Sequence, residues 1–264
     1  SGEEQGLWGG ELLAKTAKSL NWSVSAVINN DIVGNSTGTD GTVVADRVRV
    51  FSEGITAGAD ADAVRLIRAT GGEDDGPGRA LAKAVRGIAA DLPGGLAVTL
   101  VRRPDRFGRG GDQAPFQDLG YPAIRISSGV ENYDRQHQNP RVDGGRAYGD
   151  SADAMDFDYL TKVTAINIAA VRRLASAPAA PADVFISGAV SSDTTVRWSP
   201  VPGAVRYRVH WRRADQQDWT DQRDVTDPSL VLKGVIIDDT FFGVSAIGAD
   251  GAESLVSFAG AKPR

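Results

Sequence analysis

Four residues in three polar stretches have side chains that bind metal ions or move protons. Glu3 and Glu4 are adjacent in "SGEEQGLWGG", set between glycines. Asp31 stands in "INNDIVGN", just past a buried β-rich run, where loops at strand ends commonly build sites. His137 lies in "ENYDRQHQNPR", a polar stretch away from any apolar face. Carboxylates and an imidazole make a donor set for a divalent cation. Amide hydrolysis at such a centre needs ligands, an open coordination position, a base for the water and a polarised carbonyl. Each residue also has a plainer reading. Glu3–Glu4 can be a solvated loop pair, Asp31 a turn or cap residue, and His137 a surface histidine. Asp112, in "RGGDQAPF", either orients a substrate or caps a turn.

Composition narrows the chemistry. The chain has 264 residues, 41% hydrophobic and 24% charged, enough for one large domain or a medium and a small one. A formal charge of −5 argues against a nucleic-acid surface, which needs a concentrated basic patch. With no cysteine, disulfides, zinc–thiolate sites and cysteine nucleophiles are excluded. The two histidines, His137 and His210, carry any imidazole chemistry. No apolar run reaches the roughly 20 residues of a membrane span, and no signal peptide is visible. Phosphate-loop, dinucleotide and G-x-S-x-G patterns are absent, and "GTDGTVVADR" lacks the spacing of a calcium loop and reads as a hairpin-like turn.

The elements that must position these residues alternate through the first 175 positions. "GLWGGELLAKTAKSL" carries Leu7, Trp8, Leu12 and Leu13 at helical spacing, and Val24 to Ile28 reads as a buried strand. "TVVADRVRVFS", "LAVTLVRRPD" and "YPAIRISS" are β-rich, while "DADAVRLIRAT" and "GPGRALAKAVRGIAADL" are helical, the latter with Pro77 near its start and Pro93 beyond its end. "DFDYLTKVTAINIAAVRRLAS" is an amphipathic helix with Leu160, Val163, Ile166, Ala170 and Leu174 on one stripe. This alternation predicts an α/β fold with helices on both faces of a sheet. "SAPAAPAD" then reads as a stiff linker. Beyond it, short period-2 runs with turns every eight to twelve positions predict an antiparallel β-sandwich. There, His210 is structural or solvent-facing, Trp198 and Trp211 belong to core and strand surface, and "RVHWRR" is a solvated basic strand face.

Four stretches, "SGEEQGLWGG", "INNDIVGN", "RGGDQAPFQDLGYPAIRISSGVENYDRQHQNPRVDGG" and "DFDYLTKVTAINIAAVRRL", occur in this order through residues 1 to 174. Together they resemble the co-catalytic zinc aminopeptidase family, the group of bacterial leucyl aminopeptidases and aminopeptidase Y. The resemblance implies Glu3 as general base for the attacking water, Glu4, Asp31 and His137 as metal ligands, and Asp112 and Gln113 beside the substrate, Gln113 where relatives usually carry histidine. It also implies two zinc ions, peptide or protein substrates, and a secreted or periplasmic bacterial enzyme. In the second part, "VRWSPVPGAVRYRVHWR" and "FFGVSAIGADGAES" resemble a fibronectin type III domain over about 80 residues.

The expected architecture is therefore α/β. A mixed-sheet three-layer α/β/α zinc exopeptidase domain spans 1–177, a linker 178–182, and an all-β fibronectin III-like sandwich 183–264. The resemblance places a further His and a bridging Asp upstream of the glutamate pair, so the chain offers three of five expected ligands and is expected to be the C-terminal portion of a catalytic domain, with the missing N-terminal portion as partner. Two alternatives stand beside the aminopeptidase. One is a carboxypeptidase on the same scaffold, the other a non-catalytic binding protein that has lost a complete metal site.

Overall fold

The structure, a computed structural model, describes residues 2–261; the outermost positions of the two expected domains, 1 and 262–264, lie outside the described residues. The first part runs α1 (Trp8–Ser19), β1 (Val27–Asn30), β2 (Arg47–Phe51), α2 (Ala61–Thr70), α3 (Pro77–Ala90), β3 (Ala97–Val101), α4 (Ala114–Asp118), β4 (Ala123–Ser128), a small hairpin β5 (Arg141–Asp143) and β6 (Arg146–Tyr148), and α5 (Phe157–Ser176). Its mixed sheet has the order β1-β4-β2-β3. β1 runs parallel to β4 with Asn30 opposite Ile126, and β2 runs antiparallel to β4 with Phe51 opposite Arg125. The carboxyl ends of β1 and β4 therefore meet at one end of the sheet, and β2 ends at the other.

Local chemistry fixes the helices much as the sequence predicts. The Asp156 carboxylate caps α5 by accepting from the Tyr159 amide at 2.9 Å, and Asp60 does the same for α2 through Ala63 at 2.8 Å. Pro77 opens α3, where its missing N–H costs nothing. α2 stops at Gly71, with φ +70°, and a Cβ there would lie 2.5 Å from the Phe241 ring. Only glycine combines that backbone with that contact.

The main core joins Val48, Val50, Ile124 and Ile126 of the sheet to Leu81 and Val85 of α3 and Val163, Ile166 and Ala170 of α5. Val163, Ile166, Ala170 and Leu174 of the predicted α5 stripe lie in this core, while Leu160 is only partly buried and Tyr159 takes the buried place beside it. A smaller cluster of Ala14, Ala17, Phe116 and Ala123 packs α1 and α4 on the other face of β4. Here the structure departs from the expectation for α1. Its buried residues are Gly10, Ala14 and Ala17, whereas Trp8 and Leu12 are 68% and 70% exposed. Close approach of the helix to the sheet selects the small residues, and the large apolar ones turn outward.

The second part has β7 (Phe185–Ser187), β8 (Thr194–Arg197), β9 (Arg206–Arg213), β10 (Asp221–Val225), β11 (Ser229–Leu232), β12 (Thr240–Ile247), β13 (Ser257–Phe258) and β14 (Gly260–Ala261). They form two four-stranded sheets, β10-β9-β12-β13 and β11-β8-β7-β14, closed over one core containing Val196, Trp198, Tyr207, Val209, Phe242 and Val244. Trp198 and Tyr207 meet edge to face at 5.3 Å, and Trp211 packs partly buried against the same core. His210 is buried and bonded to the Ser245 hydroxyl at 3.0 Å.

The basic strand corrects its expectation. Arg212 is buried, not solvated, because its guanidinium pairs with the buried Asp75 of the first part. Lys83 of α3 reaches the same carboxylate at 2.6 Å. Arg212 also stacks 4.6 Å from the Phe241 ring centre, and the Lys83 ammonium stands 5.7 Å from that of Trp219. Two cations thus share a buried acid across the junction, with aromatic faces around them.

Candidate functional site

Three chain segments converge at the sheet end where β1 and β4 finish. The loop before α1 brings Glu3 and Glu4, the exit from β1 brings Asp31, and the loop after β4 brings His137. His137 Nδ1 stands 3.7 Å from Glu4 Oε2, and both side chains are largely exposed. Glu3 is held above the usual carboxylate range by partial burial and then by the charges of Asp31, Glu4 and Asp112. Four acids therefore share one electrostatic neighbourhood. The backbone in these segments is unusual. Among the described residues, five non-glycine positions have positive φ, and three of them are Leu7 (63°), Ile32 (60°) and His137 (52°). A β-branched residue such as Ile32 is sterically opposed to that conformation, and strain of this kind concentrates at functional loops.

A buried polar network supports Asp31 from below. Its carboxylate receives Arg125 at 2.8 Å, and its carbonyl accepts a second guanidinium nitrogen at 3.3 Å. Arg125 is fully buried and also contacts Asp105 Oδ2 at 3.2 Å and the Gly110 carbonyl at 3.1 Å. Burial lowers the Arg125 pKa from its ordinary value, against the opposing pull of Asp105 and Asp31. Gln113 completes the network. Its amide nitrogen donates to Asp105 at 2.6 Å, and its oxygen accepts from Asn29 at 2.8 Å. The Gln113 side chain, expected beside the substrate, is fully buried, with oxygen and nitrogen both engaged.

Asp112 differs from its neighbour. Its Oδ1 is buried without a hydrogen-bond partner, pressed against α1, where a Cβ on Gly10 would come within 2.6 Å of it. Gly10 is thus what lets α1, which follows the glutamate loop, sit against Asp112. The sequence reading missed Arg125 and Asp105. The available signal is a charged residue at the centre of "AIRISS", a strand buried at every position. A buried strand arginine demands carboxylate partners.

Oxygen donors and one imidazole fit a divalent cation in kind, and the crowding of acids is what a cation would relieve. The residues that would hold it are Glu4, Asp31 and His137. They do not close a cage: among the described residues, no three of His, Asp and Glu stand close enough together to hold a metal ion. Among the same residues, no helix is long and apolar enough to cross a membrane.

No family model matches the chain. Curated relatives do. A probable zinc metalloprotease of Pyrenophora tritici-repentis is 37% identical over 260 residues, covering 96% of this chain and 54% of that protein. One from Leptosphaeria maculans is 37% identical, covering 96% and 60%, and one from Pyricularia oryzae 35%, covering 96% and 52%. The chain thus spans about half the length of the curated relatives it matches. These relatives are fungal, where the motif resemblance implied a bacterial source. Among solved structures, a Fn3-like protein from Clostridium thermocellum is similar over 34% of this chain and 97% of its own, with 26% identity and a TM-score of 0.30.

Proposed function

We propose that the chain is part of a zinc-dependent peptidase, an exopeptidase of the aminopeptidase type, acting outside the cytoplasm on peptides or proteins. The observation that carries this reading is the convergence of Glu3, Glu4, Asp31 and His137 at the carboxyl ends of two parallel strands, the usual place for a site in an open α/β sheet. The relatives' printed description as probable zinc metalloproteases supports zinc as the ion and proteolysis as the reaction. Bound zinc, two ions in the complete enzyme, would supply Lewis-acid polarisation of the scissile carbonyl and a more acidic water.

The chain's own residues divide the remaining work. Glu4, Asp31 and His137 provide the donors. Glu3 takes the proton of the attacking water and delivers it to the leaving amine. Arg125 positions Asp31, Asp105 holds Arg125, and Gln113 holds Asp105 in turn. Asp112, whose charge acts on Glu3, is the group that orients the substrate beside the base. The segment 1–177 is the catalytic portion, 178–182 the linker, and 183–264 a fibronectin III-like accessory module, read from its two sheets and the Trp198–Tyr207 core pair.

Two observations favour a second reading, a scaffold that binds without catalysis. Asp31 is already ion-paired to Arg125, and the described donors do not close around an ion. Hydrolysis of an aminoacyl-nitroanilide by the natural full-length protein separates the two. Activity that falls at least a hundredfold in Glu3→Gln with metal content unchanged supports the peptidase. No hydrolysis by the wild type supports the scaffold. Release of residues from the carboxyl end of a test peptide would instead mark a carboxypeptidase.

A further inference from the structure

At the opposite end of the sheet lies a cleft of about 580 Å³ that the peptidase reading leaves unused. Its walls come from the exit of β2 at Glu53 to Thr56, from α2, and from the 254–260 segment of the sandwich, which roofs it. The volume lies within the range of small-molecule sites, which are mainly apolar with a few polar groups that fix orientation.

Two independent features point to an occupant. The first is α2. It is amphipathic, yet it contains no buried residue, and Leu66 and Ile67 instead face this cleft with Leu255 and Phe258 across from them. The second is charge. The cleft has two carboxylates. Asp75 is neutralised by Lys83 and Arg212. Glu53 is half-buried and, among the described residues, forms no ion pair; the nearby Arg79 is bonded to Asp74 at 3.1 Å and to the Ser52 carbonyl at 3.2 Å. Burial, and after it the charge of Asp118, raises Glu53 above the usual carboxylate range, although Thr56, the Ala57 amide and the charge of Arg79 act the other way.

We propose that this cleft is a second binding site, separate from the acidic loops, for a small amphipathic amine whose ammonium pairs with Glu53 and whose apolar body lies between α2 and Phe258. The chemical class is an alkyl- or arylalkyl-ammonium, such as the free amine of a hydrophobic amino-acid amide. Complementarity follows from one anion without an ion pair set in an apolar wall: a neutral molecule brings it no counter-charge, and an anion is repelled by it.

The test is a calorimetric titration of the full chain with 2-phenylethylamine and with its neutral isostere 2-phenylethanol. The proposal expects the wild type to bind the amine at least tenfold more tightly than the alcohol. Glu53→Gln should weaken the amine about ten- to a hundredfold, the scale of a charge-assisted hydrogen bond, while leaving the alcohol unchanged. Leu66→Gln, at a residue already 40% exposed and so compatible with folding, should weaken both ligands. Equal affinity for amine and alcohol in the wild type, no binding of either, or an amine affinity indifferent to Glu53→Gln in a folded protein would overturn the proposal. The wild-type comparison decides the matter even if Glu53→Gln fails to fold.

Discussion

Single residues in this protein are set by their charge partners more than by their immediate sequence. Arg125 is the one charge in "AIRISS", and where the fold buries it Asp31 and Asp105 pair with it, Asp105 held in turn by Gln113. Glu253 shows the same logic in the sandwich. Burial alone would raise its pKa, but hydrogen bonds from His210 and Ser245 and the charges of His210 and Arg208 bring it down to about 2. A carboxylate depressed on folding stabilises the native state above its ordinary value of 4.5, and that contribution is lost as pH falls from there toward about 2. We therefore expect acid denaturation, followed by circular dichroism between pH 5 and 2, to be flattened in Glu253→Gln, which has no such proton to take up. An unchanged acid limb would show that other groups dominate it.

Elements were legible in the sequence where periodicity and packing agree. α5 follows its apolar stripe, and α3 follows its proline signals, because each lays large side chains on the main core. α1 was legible as a helix but not in its orientation, since Ala14 and Ala17 carry no strong hydrophobic signal and pack only because they are small. Leu12→Gln should accordingly leave stability within about 0.5 kcal/mol. Ala17→Leu should cost about 1–3 kcal/mol through overpacking. Urea unfolding of the two variants measures both, and the reverse order would place the large apolar face in the core. The candidate donors Glu3, Glu4, Asp31 and His137 stand in polar loops without periodicity, so the sequence offers them by residue type alone. The burial of Gln113 was not legible, because a loop amide is buried only where the fold brings it partners, here Asp105 and the distant Asn29.

At the scale of the whole molecule, the α/β part and the sandwich are joined by chemistry rather than by the linker alone. Asp75 takes both Arg212 and Lys83, Arg86 meets Asp218, and Leu255 of the sandwich segment enters the main core. Removing the shared acid leaves two buried cations unmatched, which costs about 3–5 kcal/mol where such pairs have been broken. We expect the wild type to melt in one calorimetric transition and Asp75→Asn to melt in two, as the parts uncouple. A single unshifted transition in the variant would mean that the junction contributes little.

The central claim is that the acidic loops at the carboxyl ends of β1 and β4 gather around zinc. The most direct measurement is zinc per chain, by elemental mass spectrometry, in the natural full-length protein and in its Glu4→Gln, His137→Ala double variant. The account predicts two equivalents in the wild type and at most one in the variant. A wild type without zinc, or a variant that keeps all of it, would contradict the account.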